Sequence, residues 1–144
     1  MEGLKAAIDY GVIGLLLLLS VWAVAVAIER FAYYRRLRVT EYATRVELEV
    51  ALTRRLVVIG TVAANAPYIG LLGTVLGIML TFQTMGATGD MDVKSIMTGL
   101  ALALKATAMG LLVAIPCVAL NNALRRRVRE CLAEFDALRE KAGG

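Results

Sequence analysis

The 144-residue sequence contains no histidine, two cysteines, two prolines and one tryptophan. It therefore has no cluster of metal ligands, no glycine-rich nucleotide loop and no nucleophile set beside a base, and hydrolytic and redox chemistry find no candidate residues. A chain of this kind is expected to be no enzyme, with no cofactor and no metal. Cys117 and Cys131 suggest no disulfide framework and read as small apolar packing residues. Carboxylates are missing from every long apolar stretch. Residues 11–28 and 56–89 carry no charge, and residues 95–124 carry only Lys105. A proton path through these stretches would lack its usual titrating group and would have to take one from a partner.

What the sequence has in quantity is apolar surface: 59% of residues are hydrophobic and the mean hydropathy is +0.70, too high for a soluble domain of this length. A bilayer crossing takes about 20 apolar residues, and the three runs supply spans over about 10–30, 66–85 and 96–121. Backbone groups in lipid must be paired internally, which leaves helices or closed barrels. Long runs without alternation exclude the barrel. The expected fold is an all-α membrane protein with three transmembrane helices, a single integral membrane domain over residues 1–144, and cytoplasmic helical extensions over 31–65 and 122–144.

Charge orients the spans. Arg30, Arg35, Arg36, Arg38, Arg45, Arg54 and Arg55 lie between the first and second runs, and Arg125, Arg126, Arg127, Arg129, Arg139 and Lys141 follow the third. These thirteen of sixteen basic residues place the connector and C-terminus in the cytoplasm and the N-terminus outside. The net charge of +4 is thus a topology signal. Basic clusters that abut membrane helices and mix with Glu speak against nucleic acid.

Residues 1–10 form an amphipathic lead-in. Ala23, Ala25 and Ala27 mimic a signal-peptide cleavage site, but the mixed charges of Glu2, Lys5 and Asp9 and the helical pattern running on into Tyr34 favour a retained span. Tyr33 and Tyr34 suit the headgroup layer. The connector, residues 35–55, places Leu37, Val39, Tyr42, Val46, Leu48 and Leu52 in a helical stripe, which predicts one uninterrupted amphipathic helix. In the second run Asn65 and Pro67 either start a new helix, as cap and first-turn residue, or kink a continuous one. Gly86, Gly89, Asp90 and Asp92 form a short outer turn, so the long helices around it are antiparallel neighbours. Pro116 predicts a mild kink in the third helix. That helix continues into the cytoplasm with an apolar stripe of Leu124, Val128, Leu132, Phe135 and Leu138.

The chain centres on APYIGLLGTVLGIMLTF, residues 66–82. Pro67, Gly70, Thr74, Gly77 and Thr81 recur there at steps of three or four and share one helical face. Gly99, Ala103, Thr107, Gly110, Ala114, Cys117 and Asn121 form a matching stripe on the third run. Faces of this kind meet other helices or a cavity, and the Gly73–Gly77 pair adds a GxxxG motif whose plain reading is packing. Thr74 and Thr107 fall at one depth in an antiparallel hairpin. Each either bonds its own helix four residues back or lines a hydrated path. Lys105 is the outlier, since a cation inside a span costs about 3 kcal/mol or more. It lies about 200° around the helix from Thr107, so it faces an adjoining helix, a lipid headgroup reached by snorkelling, or an acid of another chain.

The cores GLLGTV and ATAMGL, within residues 66–122, resemble the paired second and third membrane helices of the MotA/TolQ/ExbB proton-channel family, most closely its ExbB members. The resemblance implies a stator subunit of an ion-driven motor in a bacterial inner membrane. It implies a homopentameric ring whose second and third helices line a pore, with the single span of an ExbD-like partner, bearing a protonatable Asp, inside it. It implies proton flow that energises a TonB-like protein for uptake across the outer membrane. Thr74 and Thr107 match the family's pore threonines, and Gly70, Gly77, Thr81, Ala103, Gly110 and Ala114 are expected as pore-face packing residues. Lys105, from its angular position, is expected as an intersubunit or lipid contact. A TolQ-like or MotA-like stator would share this pore, and a passive membrane scaffold is the rival of another class. Two departures stand out: Leu102 occupies the place of a Glu common in relatives, and Lys105 has no counterpart. The connector is short beside longer relatives, whose regulatory contacts are not carried over.

Overall fold

The computed structural model describes residues 2–89 and 92–143, and the described chain is helical almost throughout. α1 is Glu2–Arg36, α2 Arg45–Thr53, α3 Leu56–Thr88 and α4 Val93–Gly143. α1, α3 and α4 are long and apolar enough to cross a membrane. α3 and α4 form an antiparallel hairpin with the most extensive contact in the molecule, and α1 lies against both.

Two apolar clusters hold the bundle. Leu16 and Ala23 of α1 meet Val62, Ala63 and Ala66 of α3 and Val113, Ala114 and Cys117 of α4. This level is made of small side chains, which let three helices approach closely where lipid supplies no hydrophobic drive. Toward the C-terminal end of α1 the residues grow larger: Tyr34, Leu48, Leu52, Leu56, Ile59, Leu124, Leu132 and Phe135 pack together. Here the apolar stripe of α4 is covered by α2 and the connector.

The connector corrects one expectation. Residues 35–55 are not one helix: α1 stops at Arg36, a 3-10 turn spans Val39–Glu41, and α2 begins only at Arg45. A straight helix would carry its apolar stripe away from the bundle. The fold instead turns back, which buries Val39, Leu48 and Leu52 against Val128, Leu132 and Phe135. Val46, expected in the stripe, is exposed. The Thr44 hydroxyl caps α2 by accepting from the Glu47 N–H at 3.2 Å, worth about 1 kcal/mol. Arg55, with φ 68°, makes the sharp turn into α3.

At Pro67 the continuous alternative holds, since α3 runs unbroken from Leu56 to Thr88. Asn65 caps nothing; its Nδ2 donates to the Thr61 carbonyl at 2.8 Å. The outer turn is tighter than the residue pattern suggests, because the helix passes through Gly86 and ends at Gly89, whose φ is 72° and whose N–H donates to the Met85 carbonyl at 2.8 Å. Asp92 starts α4, its carbonyl accepting from Ile96 N–H at 3.1 Å, while Asp90 lies outside the described residues. α4 is one 51-residue helix through Pro116 and the arginine cluster.

Candidate functional site: the α3–α4 seam

The two small stripes face each other. A Cβ built on Gly70 would lie 2.7 Å from the Ala106 carbonyl oxygen, and one on Gly110 would lie 2.7 Å from the Ala66 carbonyl oxygen. The helices touch backbone to backbone there, a distance only glycine permits. Further along, Gly77 faces Ala103, and Gly99 faces Thr81. Gly70, Gly77, Thr81, Ala103, Gly110 and Ala114 are all buried inside one chain, where they set the spacing of α3 and α4.

The threonines of α3 and α4 do not behave alike. Thr81, Thr88 and Thr98 each donate to the carbonyl four residues back on their own helix, the usual arrangement in an apolar helix. Thr74 does not. Its Oγ1 donates across the seam to the Ala103 carbonyl at 2.9 Å, and it also bonds the Thr107 hydroxyl. A hydroxyl has one hydrogen to give. With that of Thr74 directed to Ala103, the Thr107 O–H donates to Thr74, and the order is Thr107 to Thr74 to Ala103. Thr74 is 6% exposed, while Thr107 is half-buried. The open end of the chain is therefore the Thr107 oxygen, which keeps lone pairs free to accept another bond.

Lys105 points elsewhere, as its angular offset requires. It lines a cavity of about 430 Å³ with Lys5, Asp9, Tyr10, Ile13 and Leu102, between the start of α1 and α4. A contact across three helices sets the register: a Cβ on Gly73 would meet both Ala106 and Val12, so these three positions share one level. At the other end Arg55 pairs with Glu29 at 3.7 Å. The twenty residues from Asp9 to Glu29 rise about 30 Å, the thickness of a bilayer core. Lys105 is thus level with Asp9, where the uncharged run of α1 ends. Beyond it α4 reaches back to Ile96 over about 14 Å. A cation that looks stranded in mid-span along its own helix sits beside the polar end of another.

Arg30 is a residue that the sequence pattern assigned only to topology. It is 4% exposed, donates to Glu29 at 2.7 Å and to the Ala51 carbonyl at 3.1 Å, and stacks over Tyr33 at 4.5 Å. Beside it the hydroxyls of Tyr33 and Tyr42 bond at 2.7 Å. That bond, with partial burial, pushes the Tyr42 phenol up to about 12. Among the described residues no group of acids, cysteines or histidines is placed to hold a metal.

Fold and site together define a polytopic α-helical membrane protein whose polar chemistry within the α3–α4 seam is carried by hydroxyls. Residues 34–137 match the model of the MotA/TolQ/ExbB proton channel family, and the chain belongs to that family. It is 54% identical over 138 residues to the biopolymer transport protein ExbB of Aquifex aeolicus (strain VF5), covering 96% of this chain and 93% of the relative. It is 53% identical over 133 residues to the putative biopolymer transport protein ExbB-like 2 of Helicobacter pylori (strain ATCC 700392 / 26695), covering 92% and 89%. The Tol-Pal system protein TolQ of Haemophilus influenzae is 41% identical over 92 residues, covering 64% and 40%.

Proposed function

We propose that this chain is the channel-forming subunit of an ion-driven motor in a bacterial inner membrane, assembled as a homopentamer around the single span of an ExbD-like protein. With that partner it uses the proton motive force to energise a TonB-like protein for uptake across the outer membrane. Its N-terminus lies in the periplasm and its C-terminus in the cytoplasm, in keeping with the arginine clusters. The near full-length identity to ExbB relatives favours this over a TolQ-like or MotA-like stator.

The observation that carries the reading is the hydroxyl chain across the seam. A protonated carboxyl of the partner would donate to the free lone pair of Thr107. Once ionised, it would accept the Thr107 hydrogen instead, while the Thr74 hydrogen swings from the Ala103 carbonyl to the Thr107 oxygen, so that rotation about two C–O bonds reverses the chain. The site thereby accommodates both protonation states of a visiting acid without burying an unpaired group. The spans themselves provide no carboxylate, and Leu102 faces the Lys105 cavity rather than the threonines.

The test is proton flux into liposomes holding the chain and its single-span partner. Thr74→Val with Thr107→Val is expected to lower flux at least about tenfold, the scale of 1.4 kcal/mol, roughly one hydrogen bond to a charged group. Serine at both positions should restore it. Flux unchanged by valine removes the threonines from the path. No flux from the unaltered complex favours the passive scaffold.

A further inference from the structure

The cavity between α1 and α4 has no part in the hydroxyl chain. Lys5 and Asp9 are half-buried in it, and Lys105, an exposed residue, lines its α4 side. Three charged side chains share one small space, yet among the described residues none forms an ion pair. Ion pairs are formed elsewhere, at Glu29, Glu130 and Asp136. The walls are apolar: Ile13 on one side and Leu102, itself partly open to the surroundings, on the other. Two ammonium groups against one carboxylate leave a net charge of about +1 at a depth where the first span ends. A charge so placed attracts the one anion that the surrounding lipid carries at that level.

We propose that this cavity is a binding site for the phosphodiester of a membrane glycerophospholipid, in the leaflet nearest the N-terminus. Lys5 and Lys105 hold the phosphate oxygens, their stems lying along the apolar wall. Asp9 receives the hydrogen-bond donor that follows the phosphate in the headgroup, a hydroxyl or an ammonium. Ile13 and Leu102 meet the glycerol and the first acyl carbons. α1 is thereby fastened to α4 through a lipid instead of a direct salt bridge.

The experiment is native mass spectrometry of the purified, delipidated protein in mixed micelles containing dimyristoyl phosphatidylglycerol. Three probes are compared: that lipid, dimyristoylglycerol with the same chains and no phosphate, and inorganic phosphate. The expected result is retention of the phospholipid alone, reduced at least tenfold by Lys5→Gln with Lys105→Gln, unchanged by Lys94→Gln outside the cavity, and kept by Lys105→Arg. Asp9→Asn should leave the phosphate bound and weaken only the choice between headgroups. Equal retention of dimyristoylglycerol, or of phospholipid in the double variant, overturns the proposal. Displacement of the lipid by free phosphate at equal concentration overturns its assignment to lipid. Should the double variant fail to fold, phosphorus-to-nitrogen dipolar coupling between lysine Nζ and lipid phosphate is read in the unaltered protein in dimyristoyl phosphatidylglycerol vesicles. Coupling that survives in Lys94→Gln with Lys141→Gln, which leaves Lys5 and Lys105 as the only lysines, supports the site, and its absence overturns it.

Discussion

Gly110→Ala tests the seam at its tightest point. The added methyl group would sit 2.7 Å from the Ala66 carbonyl oxygen, 3.0 Å from the Gly70 Cα and 3.2 Å from the Gly70 nitrogen. All three are backbone atoms, so no rotamer change relieves the clash and the helices themselves must part. Ordinary contact begins at 3.4 Å, so the separation needed is about 0.7 Å, the difference between 3.4 and 2.7. A gap of that size forfeits about a quarter to a half of the dispersion energy of the contacts it opens. Over-packing of this kind costs about 1–3 kcal/mol, and alanine returns at most about 1 kcal/mol through helix propensity. A net loss of about 1–2 kcal/mol is expected. It is read from unfolding in mixed micelles of rising SDS fraction, followed by far-UV circular dichroism. Gly14→Ala is the control, because a Cβ there meets nothing within 4 Å, and it should be neutral or slightly stabilising. Gly70→Ala combined with Gly110→Ala should cost less than the two separately, since one displacement makes room for both methyl groups. Equal stability of Gly110→Ala and Gly14→Ala would refute the backbone contact.

Arg30→Met should destabilise the bundle by about 2–3 kcal/mol, since it removes a charged hydrogen-bond set and a cation over an aromatic ring; the same SDS titration measures it, and a change below about 0.5 kcal/mol would place Arg30 outside the fold's energetics. Tyr42 should stay neutral until about pH 12, as phenolate absorbance will show, and Tyr33→Phe should bring its titration back toward about 10. The sign follows from the raised value: the pair's contribution to stability is complete below about pH 10 and is lost as pH climbs toward about 12.

The three crossings, the antiparallel hairpin and the continuation of the last helix were legible in the sequence because each rests on a run of residues along one helix. The small stripes were legible for the same reason, and spacing alone put Gly70, Thr74, Gly77, Ala103 and Gly110 on facing sides. What joins Thr74 to Ala103 was not, because a threonine carries the same letter whether it bonds its own helix, like Thr81, or the neighbouring one. The break in the connector had a signal in Thr44 followed by Glu47, a capping pattern, but without Gly or Pro the apolar periodicity outweighed it. Lys105 shows the larger gap. Its depth depends on how far α4 slides against α1, and register between helices leaves no mark in either helix's own pattern. Arg30 was hidden likewise, since its burial needs the Ala51 carbonyl of a segment folded back over it.

The 51 residues of α4 extend about 75 Å as one rod. A bilayer with its headgroups is only about 40–45 Å thick, so some 30 Å of this rod stands clear of lipid. A stiff mast of that length converts a small tilt in the hydrophobic layer into a far larger sweep at its free tip.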